Sequence, residues 1–242
     1  MMRTLLARPE LSAAFLRRLA AKAALIERDP DKKGAAARIY ASSRQAQWFK
    51  PVTDALKQMA GPGERCMICS GSESSQVEHF RPKAAFPLMA MVWANFLWIC
   101  GICNQSKGDR FPPDTEDGEL LIDPTNENVW DFFFVDQFGN LTERWRPDLN
   151  DIDPRAHITI TIFSLDRDAL QESRQLRLED LKEKARDAIN LLASGRISAA
   201  DLRERISRWR LQPFQPDVTD YFLHGPGRLE EPFAELLDRA GR

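Results

Sequence analysis

Leu11, Phe15, Leu19 and Ile26 recur at helical spacing, so residues 10–28 read as an amphipathic helix. "DPDKKG" at 29–34 breaks it. A second helix is expected over about 35–50, interrupted by Pro51, with a last turn carrying Val52, Leu56 and Met59. "GPGE" at 61–64 then releases the chain. Farther on, "ELLIDP" reads as a short strand, and "DFFFVDQFGNLTERW" as a hairpin turning at Gly139-Asn140. "HITITIF" at 157–163 alternates strictly, with Ile158, Ile160 and Ile162 on one face and His157, Thr159 and Thr161 on the other, which predicts a strand. A long helix follows over about 166–194, with Leu170, Leu178, Leu181, Ala185, Ala188 and Leu192 as its buried stripe. "GRISAADLRERISRWR" starts another helix with Ser198 as its N-cap. The Pro- and Gly-rich tail, 211–242, carries no pattern that assigns it an element, and there is no internal repeat.

Between the N-terminal helices and the hairpin, cysteines dominate. The chain has 242 residues, 43% of them hydrophobic, enough for a real core in one large domain or two small ones. No apolar run approaches 18 residues, and the N-terminal stretch lacks a continuous signal segment, so a cytoplasmic location is expected. In that reducing compartment four cysteines are read as metal ligands before disulfides. They fall in two Cys-x-x-Cys pairs, Cys66/Cys69 and Cys100/Cys103, and none is left over. Each pair supplies two thiolates from one tight bend, so together they complete a tetrahedral zinc shell. With no position left for water, such a zinc is structural.

Thirty residues separate Cys69 from Cys100, more than a plain zinc ribbon needs. The insert contains Glu78-His79, a pair suited to acid/base or metal chemistry. "SQVEHF" has strand character, "NFLWIC" reads as a buried second strand, and "CNQSKGDRF" can begin a helix. The expected order is strand, long loop, strand, short helix, with zinc pinning its base.

"VEHFRPK", Asn95 at the start of the second strand, and "CGICNQSKGD" resemble the motif of the HNH nucleases, the ββα-metal group. His79 matches the first His, Asn95 the middle Asn, and Asn104 the last position, at intervals of 16 and nine residues. "EHFRPK", "CNQSKGDRFP", "LLIDPTNENVWDFFFVDQFGNL" and "TIFSLDRDALQESR", spanning about 64–180, are similar to the HNH subunits of Septu anti-phage systems, the PtuB family, relatives of which accompany some retrons. That resemblance implies an α+β fold: a ββα hairpin stapled by the four-cysteine zinc site, embedded in helical N- and C-terminal segments with a small additional β hairpin. The expected division is a helical arm (1–63), a nuclease core (64–113), a β-rich extension (114–165) and a helical region (166–242). It also implies a partner, an ABC/SMC-like ATPase of the PtuA type. This chain has no Gly-x-x-x-x-Gly-Lys-Ser/Thr loop of its own.

Phosphodiester hydrolysis needs a deprotonated water, neutralised phosphorane charge and a stabilised leaving oxygen. His79 is the candidate general base. By resemblance, the backbone carbonyl or side-chain amide of Asn95 orients it, and Glu78 with Asn104 holds one Mg²⁺ (or Mn²⁺), a hard ion that suits oxygen ligands. An ideal strand sends Glu78 and His79 to opposite faces, so a local twist or bulge is required. Arg81, Lys83, Lys107 and Arg110 flank the site as candidate phosphate contacts or as ordinary surface charge. Trp93 and Trp98 are read as core before base-stacking platforms, and His157 and His224 as structural or exposed.

The net charge is −2, unevenly spread. Residues 1–63 carry 12 Lys/Arg against 5 Asp/Glu, a net +7, either a solvated helix face or a surface for a phosphate backbone. Residues 114–155 carry 3 against 12, a net −9, which keeps that block away from nucleic acid and turns it to solvent or a basic partner. Two readings follow: a metal-dependent nuclease subunit, acting in a homodimer or a higher complex, or a non-catalytic zinc module that binds nucleic acid or a partner.

Overall fold

The computed structural model of the protein describes residues 7–61, 63–71, 76–112, 120–210 and 216–241. The first residues of the basic arm, residues 114–119 of the acidic block, Glu119 of the "ELLIDP" strand reading and the start of the tail at 211–215 lie outside the described residues. The fold is mixed but helix-rich, and its strands form small antiparallel pairs.

Helix α1 spans Ala13–Arg28 and buries Leu19 and Ile26; Ser12 caps it by accepting from the Phe15 amide. Asp31 in the "DPDKKG" break caps α2, Lys32–Gln45, by accepting from the Gly34 amide at 2.9 Å. The chain leaves α2 in an extended conformation at Ala46, makes a 3-10 turn at Gln47–Phe49 and resumes as α3, Lys50–Ala60. Pro51 thus opens a helix rather than interrupting one. In the first turn its missing N–H costs nothing and its fixed φ is already helical.

Strand β1, Gln76–His79, pairs antiparallel with β2, Phe96–Ile99, with Glu78 opposite Leu97 and His79 opposite Phe96. Helix α4, Gly101–Lys107, follows β2 at once, with Cys100 as its N-cap. The connection between the strands contains a 3-10 turn at Pro87–Met91, against which α1 and α2 pack. The expected hairpin forms from β3, Phe133–Val135, and β4, Leu141–Glu143. A further pair, β5 (Trp145–Arg146) with β6 (Asp151–Ile152), was not expected.

Two strand readings are corrected. "HITITIF" lies within helix α5, Pro154–Phe163. The start signal precedes the alternation: the Asp153 carboxylate accepts from the Arg155 amide at 2.9 Å, and Pro154 occupies the first turn. The residues that are buried are Ala156, Thr159, Ile160 and Phe163, which share a helical face, with Ile162 beside them, while Ile158 is only half-buried. In "ELLIDP", Leu121 and Ile122 are buried but pair with no strand among the described residues. The Ile122 amide donates to Thr159 Oγ1 at 3.1 Å, and Asp123 takes the Thr125 amide and hydroxyl and the Asn126 side chain, which folds the segment into a turn.

Helix α6, Asp168–Ala193, buries Leu170, Leu178, Leu181, Ala185 and Ala188. The β3–β4 turn lies against it. A Cβ on Gly139 (φ 79°) would stand 2.6 Å from the Gln171 carbonyl oxygen and Gln175 amide nitrogen, so only glycine fits there. Helix α7, Ala199–Arg210, begins after Ser198, whose Oγ accepts from the Asp201 amide at 3.2 Å. The tail, unreadable by pattern, forms α8 (Pro216–Leu223) and α9 (Phe233–Arg239), which pack on α6 and bury Val218, Phe222, Phe233 and Leu236. Inside that contact Arg174 Nε donates to Asp217 Oδ2 at 3.2 Å, both side chains fully buried. Buried apolar residues from Leu19 to Ala240 belong to one cluster, the four cysteines among them. Among the described residues no helix is long and apolar enough to cross a membrane.

Candidate active site and metal centre

The four cysteine sulfurs lie within 4.8 Å of one another, all buried. Cys69 Sγ and Cys100 Sγ stand 3.9 Å apart, far beyond a disulfide bond of about 2.05 Å. Thiolates at about 2.3 Å from one tetrahedral zinc stand ~3.8 Å apart, so the spacing fits such an ion. Amides point at the sulfurs: Ile68 N donates to Cys66 Sγ at 3.4 Å and Cys103 N to Cys100 Sγ at 3.5 Å. Arg167, at the start of α6, lies beside the cluster. Burial acts to lower its pKa, but Cys69 and Cys103 outweigh this and hold it above the usual arginine range. Four closely set sulfurs, buried and faced by donors and a cation, are a set that can hold a structural metal such as zinc.

His79 ends β1 and is buried, with Tyr40 edge-on at 4.4 Å between ring centroids and Phe96 at 5.3 Å. Its Nε2 lies 3.0 Å from the Ala90 carbonyl oxygen. A carbonyl only accepts, so Nε2 carries the proton and the Nδ1 lone pair is left free of that bond. Burial pushes the His79 pKa down to about 4; the Ala90 bond opposes this, and the Lys83 and Lys107 charges add to it. The ring is therefore a neutral base at physiological pH.

Asn95 does not hydrogen-bond the imidazole directly, contrary to expectation; the carbonyl on Nε2 is Ala90's. Asn95 instead staples the connecting loop. Its Oδ1 accepts from the Arg81 amide at 2.7 Å, and its Nδ2 donates to the Arg81 and Met89 carbonyls at 3.0 and 3.1 Å. Met89 adjoins Ala90, so the amide fixes the turn that fixes the ring. Arg8 braces the loop's far end. Its guanidinium donates to the Trp93, Ala94 and Phe96 carbonyls and to Thr125 Oγ1. One charge of the basic arm is thereby structural.

Glu78, His79, Pro82, Lys83, Asn104, Gly108 and Asp109 line one cavity of about 250 Å³. The strand alternation that separates Glu78 from His79 does not keep them from sharing it. Glu78 and Asn104 offer a carboxylate and an amide oxygen, a donor set that suits a hard divalent cation. Asp109, in the "SKGD" stretch, lines the cavity although the motif spacing does not mark it.

The four basic residues separate. Lys83 lines the cavity, its ammonium 5.6 Å from the Tyr40 ring centroid. Arg81 is half-buried at the loop's start. Arg110 is committed to carbonyls: its guanidinium donates to Ser106 and, at 3.0 Å, to Ile162 of α5, tying α4 to α5. Lys107 is not a surface phosphate contact at all. Its side chain is 1% exposed and donates to Glu78 Oε1 at 2.9 Å and the His79 carbonyl at 3.0 Å. Trp98 is buried, and Trp93 packs half-buried under the Arg8 guanidinium. His157 is exposed on α5 and pairs with Glu143 at 2.8 Å; His224 follows α8 and lines a separate cavity.

Among curated proteins the chain is similar to Septu protein PtuB of Bacillus thuringiensis, at 30% identity over 167 residues. The match covers 63% of this chain and 59% of that relative's length. No protein-family model and no solved structure matches. The similarity supports a Septu-like relation, and the four-cysteine cluster and small strand pairs stand beside it as independent structural facts.

Proposed function

We propose that this protein is an HNH-type endonuclease that hydrolyses phosphodiester bonds of nucleic acid. In this reading it is the effector of a Septu-type anti-phage complex with an ABC/SMC-like ATPase partner. One observation carries the reading most: His79 is held as a neutral base with its Nε2–H tied to Ala90, beside a cavity that also takes Glu78 and Asn104. The zinc-module reading accounts for the four cysteines but gives that arrangement no task.

His79 Nδ1 accepts a proton from the attacking water as general base. The Ala90 carbonyl keeps the ring in the required tautomer and stabilises the imidazolium that forms. Glu78 and Asn104 would hold Mg²⁺ or Mn²⁺. Such an ion, when bound, supplies Lewis-acid stabilisation of the phosphorane and leaving oxygen. Lys83 at the cavity wall, with Arg81 at the loop's start, would hold the substrate backbone. The four thiolates, with structural zinc, fix the start of β1 against the β2–α4 junction and take no part in the reaction.

The test is cleavage of DNA and RNA, single- and double-stranded, by the complex co-purified with its ATPase partner, with and without Mg²⁺. Metal-dependent cleavage that is lost in His79→Ala with zinc retained supports the nuclease. A wild-type complex that cuts none of the four substrates overturns it.

A further inference from the structure

Lys107 has no role so far. It sits at the last position of α4, and its ammonium is withdrawn from solvent. Its three donors meet three oxygens: Glu78 Oε1 at 2.9 Å, the His79 carbonyl at 3.0 Å and the Gly108 carbonyl at 3.4 Å. A buried ammonium survives only with such a full set of acceptors. The lysine chain therefore ties α4 to both consecutive residues of β1 that matter to the site. It binds one by its side chain and the other by its main chain.

We infer that Lys107 is a positioning residue that fixes Glu78 so that its carboxylate meets the catalytic metal through a single oxygen. The inference rests on the nuclease reading above. Oε1 is committed to Lys107, so Oε2 is the Glu78 oxygen outside that ion pair, on a residue that lines the cavity. A one-oxygen contact suits Mg²⁺, which keeps a near-octahedral shell with several waters and takes few protein ligands. Open positions are what the attacking water and the phosphate require. The ammonium also repels the dication, so it weakens metal binding while keeping the bound geometry productive. The same cation holds the Glu78 carboxylate and the His79 carbonyl, two groups on consecutive residues of a strand whose side chains line one cavity.

The predicted signature is a split. In zinc-loaded Lys107→Met protein, Mn²⁺ should bind about tenfold more tightly by electron paramagnetic resonance titration, because the repulsion is gone and both carboxylate oxygens are free. Cleavage by its complex at saturating metal should fall ~10–100-fold, the usual cost of losing a partner of a metal ligand. A merely structural lysine would lose zinc, thermal stability and metal affinity together, and that outcome overturns the inference. Unchanged affinity and rate overturn it too.

A second measurement leaves the native protein intact. The Lys107 ¹⁵Nζ resonance should shift on Mg²⁺ titration with the same half-saturation as cleavage, and Glu78→Gln should abolish the shift. Cleavage that saturates without moving this resonance overturns the role of Lys107 alone. A wild-type protein that neither binds Mn²⁺ nor, with its partner, cuts nucleic acid overturns the nuclease reading beneath it.

Discussion

His79 Nε2 and the Ala90 carbonyl oxygen lie 3.0 Å apart, eleven residues from each other in the chain. The bond joins the end of β1 to the turn that α1 and α2 support, so the ring's tautomer is set by the packing of the N-terminal helices. His79→Ala should keep its zinc and its fold, and its complex should lose at least ~100-fold in metal-dependent cleavage, the usual scale for a general base. Gel assays alongside elemental analysis of zinc check both halves.

The same burial makes a stability prediction. The imidazole has an ordinary pKa of 6.5 and a folded one of about 4. Between these values the unfolded chain takes up a proton that the folded ring refuses. Stability should therefore be full above pH 6.5 and fall as pH drops toward 4, by up to roughly 3 kcal/mol from this residue. Urea unfolding in Mg²⁺-free buffer at stepped pH should give a steeper acid slope for wild type than for His79→Gln. Equal slopes would mean that the ring is not held neutral.

Asn95→Ala removes three hydrogen bonds, those to the Arg81 amide and to the Arg81 and Met89 carbonyls. The expected loss is roughly 2 kcal/mol or more. Cleavage should fall as well, because Ala90 shares the released turn. A destabilised variant with wild-type turnover would separate the staple from the catalytic ring.

Cys66→Ser or Cys103→Ser should aggregate or unfold, since a structural zinc site contributes its binding energy to folding. Elemental analysis and circular dichroism decide this. A folded serine variant with full zinc content would show that the four sulfurs are not the ligand set.

Arg174→Ala leaves Asp217 buried beside an empty site. It should cost ~3–5 kcal/mol in denaturant unfolding, while the paired change Arg174→Met with Asp217→Leu should cost much less. The effect should be on stability, with zinc content unchanged.

The sequence was legible where neighbours along the chain settle the outcome. The two Cys-x-x-Cys pairs announce their chemistry by spacing, because a tight bend brings both sulfurs of a pair to one ion. The α6 stripe reads directly, except for Leu192, which is half-buried at the helix end, because long apolar periodicity leaves one buried face. "HITITIF" failed because alternation over seven residues is weak against an N-terminal Asp-Pro start signal and the packing of α4 and β4 on the helix it opens. The tail failed because its helices are short and gain their hydrophobic contacts from distant segments, α6 and Trp130 among them.

For the candidate site, the chain by itself determined which chemistry was present: four thiols in two pairs, a Glu-His step, and asparagines at fixed intervals. Tertiary structure decided what each group touches. It made Ala90, a residue with no side-chain chemistry, the partner of the catalytic candidate. It turned Arg8 and Arg110 into braces for carbonyls, and drew Lys107 inward to Glu78. Spacing fixes a ligand set because covalent geometry limits how far two nearby residues can part. A long charged side chain has no such limit, and its partner is whichever set of oxygens the packing of distant segments leaves for it.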